Sequence, residues 1–314
     1  MRNAFANEMT NLSAADPRVA LMSGDIGNRL FDDFKRNNGE RYFNCGIAEA
    51  NMMGMAAGMA LSGYRPVVYT ITPFTTTRCF EQIRVDVCYH NAPVIIVGTG
   101  SGLSYAELGP THHSCEDISI LRTLPGITVF APCDPEEMRQ GLRAALQQDG
   151  PVYIRLGKKG EPNLTSHVSE FTLGQARTMQ RGKDVCLIAT GPIMSVALKA
   201  AKQIEQHGIS AHVENFHTIK PLDTSRLGEL MNAFSLIAVI EEHNKIGGLF
   251  GAISEWAILN GQYGSKVLSY GVADEFLHKV GYQDHARRHF GLTEDNIAKG
   301  LIDALASQRG WTSR

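Results

Sequence analysis

Ile127-Thr128-Val129-Phe130-Ala131-Pro132-Cys133-Asp134-Pro135-Glu136-Glu137-Met138-Arg139-Gln140-Gly141-Leu142-Arg143-Ala144-Ala145-Leu146-Gln147-Gln148-Asp149-Gly150-Pro151-Val152-Tyr153-Ile154-Arg155-Leu156 is the stretch that decides the fold. Val129–Ala131 and Val152–Leu156 are short apolar, β-branched runs and read as strands. Between them Asp134 suits a helix cap, Pro135 suits the first helical position, and Glu137 completes an Asp-x-x-Glu capping pattern. Met138, Leu142, Ala145 and Leu146 then recur at helical spacing, and Gly150 stops the helix. Strand, helix and strand in that order point to α/β architecture with a mostly parallel sheet.

The same alternation extends in both directions. Toward the N-terminus, Val19–Met22, Val67–Tyr69 and Val94–Val97 read as further strands. From about Lys158 to Gln180 the periodicity fades, and Lys158, Lys159, Gly160, Pro162 and Asn163 have linker character. A second alternation follows: strand Val185–Ala189, helix Pro192–His207, then strands Ser210–Phe216, Leu236–Glu241 and Val267–Tyr270. A last helix is expected from Thr293 to about Ser307. The expected organisation is two α/β domains with mostly parallel sheets, 1–160 and 181–314, joined by a linker over 161–180.

With 314 residues, 43% hydrophobic and 20% charged, the chain can fill two ordinary cores. A net charge of -2 gives no basic footprint for nucleic acid. The six cysteines include no Cys-x-x-Cys pair, which excludes the usual zinc and redox patterns and fits a reduced, cytoplasmic protein. The first residues carry no apolar signal core, and the longest apolar stretch, Met52 to Leu61, is too short to span a bilayer. No membrane role is expected.

Four constellations carry possible chemistry. Glu49 opens a small-residue helix containing Gly54 and Gly58; a functional carboxylate and an ordinary helix-start charge are both open readings. Phe74, in Thr72-Pro73-Phe74 with Arg78 close behind, has a flat face for a heteroaromatic ring or for the core. Gly109-Pro110-Thr111-His112-His113 sets two imidazoles after a turn. Neighbouring residues on an extended loop point apart, so one of the two faces a site, and a plain surface loop stays open. Arg155 lies near the carboxyl end of its strand, where α/β sheets gather ligands; a surface arginine is the bland alternative. No P-loop and no Gly-x-Gly-x-x-Gly is present.

In order along the chain, Gly46-Ile47-Ala48-Glu49, Gly109-Pro110-Thr111-His112, Pro125–Asp134, Lys220-Pro221-Leu222-Asp223 and Glu241-Glu242-His243-x-x-x-Gly247-Gly248 resemble the transketolase family, which includes 1-deoxyxylulose-5-phosphate synthase. The resemblance spans almost the whole chain. It implies a pyrimidine-binding domain followed by a transketolase C-terminal-like domain, and thiamine diphosphate as cofactor. Single-chain members also carry an N-terminal domain that holds the diphosphate and Mg²⁺ through a Gly-Asp-Gly … Asn motif. Here Gly24-Asp25-Ile26 only imitates its start, so Ser23-Gly24-Asp25 is read as a pyrimidine-domain segment and no metal ligands are expected on this chain. The missing domain is expected on a separate N-terminal-type subunit, in a heterotetramer of two of each.

By this resemblance Glu49 hydrogen-bonds the pyrimidine N1′ and favours the tautomer that takes the C2 proton. Phe74 stacks on the pyrimidine, with Phe80 as an alternative, and Asp25, Ile26, Ile47 and Arg78 line the pocket. His112, with or without His113, moves protons on the substrate oxygens. Arg155 matches a phosphate-binding arginine, and Arg29 replaces a phosphate-binding serine. Gly100 and Leu108 fall where the family has a substrate histidine and aspartate, which implies an anionic substrate outside the standard pentose phosphates. The implied activity is ketol transfer from a ketose-like donor to an aldehyde. The β subunit of a 2-oxoacid dehydrogenase, a 1-deoxyxylulose-5-phosphate synthase-like carboligase and an inactive scaffold subunit are the alternatives.

Overall fold

The two strands of the opening stretch lie parallel and adjacent, with Val129 opposite Tyr153 and Phe130 opposite Ile154. The computed structural model describes residues 1–166, 171–261 and 264–311, without the side chains of 309–311. The helix between the two strands runs Pro135–Ala145, and the Asp134 carboxylate accepts the Glu137 N–H as its cap. Gly141 is needed on that helix because a Cβ there would sit 2.1 Å from the Phe130 ring.

The first sheet contains β1 (Val19–Ser23), β2 (Tyr42–Asn44), β3 (Arg65–Ile71), β4 (Ile95–Thr99), β5 (Thr128–Phe130) and β6 (Val152–Leu156). The second contains β7 (Arg177–Gln180), β8 (Val185–Ala189), β9 (Ala211–Asn215), β11 (Leu236–Asn244) and β12 (Lys266–Val272). Between β9 and β11 the chain returns to the first sheet as β10 (Thr218–Lys220). The resulting orders are β10-β5-β6-β4-β3-β1-β2 and β12-β11-β8-β9-β7. β10, on β5, and β7, on β9, pair antiparallel, and the other pairs of these strands are parallel. The architecture is the expected α/β pair of mostly parallel sheets.

Three strands were not anticipated. β2 and β10 have three residues each and follow no apolar run. β7 occupies the last part of the expected linker: it is an edge strand on the second sheet rather than a connection. Residues 167–170 of that linker lie outside the described residues. The sheets share one buried cluster, in which Met22, Ile96 and Tyr153 of the first join Ile188 and Val239 of the second and Phe216, which follows β9. Among the described residues no helix is long and apolar enough to cross a membrane. The carboxyl ends of β1, β2, β3 and β4 converge on one rim of the first sheet, and the loops leaving them carry the site.

Candidate active site

Glu49 is the first residue of the helix Glu49–Leu61 and is only 3% exposed. A carboxylate there is favoured by the helix dipole. The loop after β3 turns through Thr72–Thr75, with Pro73 near its start, and presents Phe74 and Arg78. Arg78 Nη1 donates to Glu49 Oε1 at 3.0 Å, and its guanidinium carbon lies 3.8 Å from the centre of the Phe74 ring. A planar cation is thus stacked on an aromatic face and hydrogen-bonded to a buried carboxylate.

His112 packs edge-on to Phe74 with ring centres 5.3 Å apart, and Tyr105 lies 6.1 Å from it on the other side. Tyr105 can lie there because residue 100 is glycine at φ +72°, where a Cβ would meet the tyrosine ring at 1.9 Å. The Thr111 hydroxyl engages His112 Nδ1 at 2.9 Å. Burial, then the positive charge of Arg78 and the neighbouring His113, lowers the His112 pKa, so the ring is neutral near pH 7 and able to accept a proton. His113 diverges: its Nε2 faces the Ala106 carbonyl at 3.4 Å, and the residue lines a cavity of about 270 Å³ with Leu103, Cys115, Asn244 and Phe290. The structure does not bring His113 to the Glu49–Phe74 cluster.

Asp25 adopts a left-handed backbone at φ 55°, and Asn44 Nδ2 donates to its Oδ1 at 2.9 Å. Ile26 is held through its carbonyl by Ser23 Oγ at 2.7 Å. Ile47, two residues before Glu49, is 77% exposed. Ile26, Arg29, Tyr69, Ile71 and Tyr105 line a second cavity of about 470 Å³, and Arg2 lines it too. Arg2 Nε is buried there without a hydrogen-bond partner. Arg2 was missed by the sequence reading. The available signal was a cation in the first turn of a helix, where the dipole disfavours it.

Arg155 requires a correction. Its side chain is 1% exposed and points into the interior. Its Nε and Nη2 donate to the buried Asp117 carboxylate at 2.7 and 3.2 Å, and Nη2 also reaches the carbonyls of Ser114 and Glu242. Tyr153 donates to the same carboxylate at 2.7 Å. A guanidinium so paired has no face to offer a substrate anion.

Residues 1–162 match the family model of the transketolase pyrimidine-binding domain, and residues 174–297 match that of the transketolase C-terminal domain. The chain belongs to the transketolase family. It is 35% identical to the 6-deoxy-6-sulfo-D-fructose transketolase subunit SqwH of Clostridium sp. (strain MSTE9), over 95% of this chain and 92% of that one. It is 32% identical to a subunit of the apulose-4-phosphate transketolase of Phocaeicola vulgatus, over 96% of each. A solved chain described as a split gene transketolase, inactive beta4 tetramer, superposes with a TM-score of 0.87 at 32% identity, covering 97% of both. Membership of this transketolase family makes the chain part of a transferase that uses thiamine diphosphate.

The residues present fit that cofactor. The slot between Glu49 and Phe74 already holds a flat cation in the form of Arg78, and an aminopyrimidine is likewise planar and, once protonated at N1′, presents an N–H to the carboxylate.

Proposed function

We propose that this chain is the pyrimidine-binding subunit of a two-component transketolase that moves a two-carbon ketol unit from an anionic ketose to an aldehyde. The observation that carries the reading is the Glu49–Phe74 slot with His112 at its edge. Bound thiamine diphosphate supplies a carbon nucleophile at C2 that no protein side chain offers. Glu49 is placed to hold a proton at the pyrimidine N1′, and Phe74 to fix the plane of the ring. His112, neutral and edge-on to Phe74, accepts and returns protons at substrate oxygens. Asp25, Ile26 and Ile47 wall the pocket.

The anionic end of the substrate is assigned to the cavity bearing Arg29 and Arg2. Relatives whose names carry a sulfonate and a phosphate sugar support this choice. The diphosphate and Mg²⁺ are assigned to a separate N-terminal-type subunit, in an assembly of two of each. The neighbour described as an inactive tetramer of β chains alone supports that dependence. A cytoplasmic setting suits six cysteines that are all unpaired.

The test is Glu49→Gln in the reconstituted complex, followed by deuterium exchange at cofactor C2. Glutamine still bonds N1′ but cannot stabilise its protonated form, so exchange should slow by about 10²–10⁴-fold with assembly intact. An unchanged exchange rate removes Glu49 from the mechanism. Acyl transfer to lipoamide in place of ketol transfer would favour the dehydrogenase alternative.

A further inference from the structure

The Glu241-Glu242-His243 motif ends β11 in the C-terminal domain, and its three side chains go separate ways. Glu241 accepts the N–H groups of Leu249 and Phe250, at 2.7 and 2.9 Å, and so caps the helix Leu249–Asn260. His243 Nε2 accepts the Ser119 N–H at 3.3 Å. Glu242 instead reaches across to the loop that carries His112.

Glu242 Oε1 accepts the Leu103 N–H at 2.7 Å. Two partners from its own domain orient the carboxylate: Gln283 Nε2 donates to Oε1 at 2.9 Å, and Arg287 Nε to Oε2 at 2.6 Å. The backbone joins in, since Arg155 Nη2 spans the carbonyls of Glu242 and Ser114 at 2.9 and 3.1 Å. Gly102 and Ser114 exchange backbone hydrogen bonds of 2.8 and 3.0 Å, closing the loop at its base. Only glycine fits at 102: its φ is +61°, and a Cβ would stand 2.7 Å from both the Glu242 carbonyl and Oε1. The loop between this closed base and its tip carries both Tyr105 and His112, which pack on each other.

We propose that Glu242 is a positioning residue of the first domain's active site: a carboxylate from the C-terminal domain pegs the base of the 102–114 loop and thereby sets His112 against Phe74. The proposal rests on the role given to His112 above. It assigns the C-terminal domain a part in proton handling although Glu242 itself stays outside the Glu49–Phe74 slot. Glu242 is 4% exposed and its two oxygens are shared among donors from both domains, so the peg has one geometry. A loop released at its base keeps its composition but loses the fixed approach of His112, and misplacement by about 1 Å costs on the order of 10²-fold in rate.

The experiment uses the complex reconstituted with its diphosphate-binding partner, with 6-deoxy-6-sulfo-D-fructose as the donor probe. Glu242→Ala should speed amide exchange across 102–114 by at least about 10-fold while β8 and β9 keep their protection. The kcat should fall by about 10²-fold with KM within about threefold. Glu242→Gln retains an acceptor for the Leu103 N–H but turns its NH2 toward the Arg287 Nε–H, so it should restore only part of both. Gln283→Ala, which removes one orienting donor, should show the same pattern at smaller amplitude and serves if the alanine variant at 242 does not fold. Wild-type loop exchange and kcat in Glu242→Ala overturn the proposal. So does loss of protection throughout the second sheet in both Glu242 variants, which would make the residue a domain staple. Released loop amides with an unchanged kcat overturn positioning alone. Full activity in His112→Ala overturns the role of His112 itself, and the positioning role with it.

Discussion

Replacing Arg155 with methionine separates a structural guanidinium from a substrate-binding one. The sequence position favoured the second, and the geometry favours the first. Arg155 and Asp117 are 1% and 0% exposed and are joined by two hydrogen bonds. Removing one partner of a buried pair strands a charge and typically costs about 3–5 kcal/mol. At roughly 2–4 °C per kcal/mol for a chain of this size, thermal unfolding should move down by roughly 6–20 °C. Burial pushes the Asp117 pKa up, but the Arg155 guanidinium, His243 and the Tyr153 hydroxyl outweigh it and hold the group below the ordinary carboxylate range. In the native chain Asp117 therefore adds stability at neutral pH that is lost as pH falls through its lowered pKa. In Arg155→Met the main opposing charge is gone and burial dominates, so the sign reverses: the variant should become more stable as pH falls toward the ordinary carboxylate range.

Urea midpoints from pH 4 to pH 8 would read both the loss and the reversal. Arg155→Met/Asp117→Asn should be more stable than Arg155→Met alone at neutral pH, because no buried charge remains unpaired. In steady-state assays of the reconstituted complex, an anionic ketose donor, with a sulfonated sugar as probe, and its neutral counterpart should be affected in equal proportion. A stable Arg155→Met that raised KM only for the sulfonated sugar would refute the reasoning and return Arg155 to the substrate.

Two further outcomes follow from the geometry. Arg78→Met should tighten thiamine diphosphate binding to the complex by about fivefold, because a half-exposed ion pair and cation–π contact of about 1 kcal/mol no longer compete for the Glu49–Phe74 slot; weaker binding by titration calorimetry would show that Arg78 holds the cofactor instead. Burial raises Glu241 to about 7 and lowers His243 to about 4, so Glu241 loses stability as pH rises from about 4.5 to 7 while His243 loses it as pH falls from about 6.5 to 4. The two slopes, each worth up to about 3 kcal/mol, oppose each other, and His243→Gln should unmask a fall in urea midpoint with rising pH that the native chain does not show; an unchanged pH profile in that variant would count against the cancellation.

What was legible in the sequence divides by the range of the interaction. The Asp134 cap, the apolar face of its helix and the parallel strands around it are local patterns, and the fold follows them. Two of the three strands missed, Tyr42–Asn44 and Thr218–Lys220, are three-residue segments that exist because a neighbouring strand pairs with them. Glu49, Phe74 and His112 are far apart in sequence but sit on loops that the strand order sends to one rim, so family order was enough to gather them. Arg155 failed for a related reason. Its place near a strand end was visible, but its burial depends on Asp117, from a helix that no capping pattern announced. Glu242 is the extreme case, with its Leu103 contact separated by 139 residues. Nothing near Glu242 distinguishes it from Glu241, which caps a helix next to it in the chain. Two adjacent glutamates acquire opposite duties because successive residues on a strand face opposite sides, and only the packing of two domains decides what each side meets.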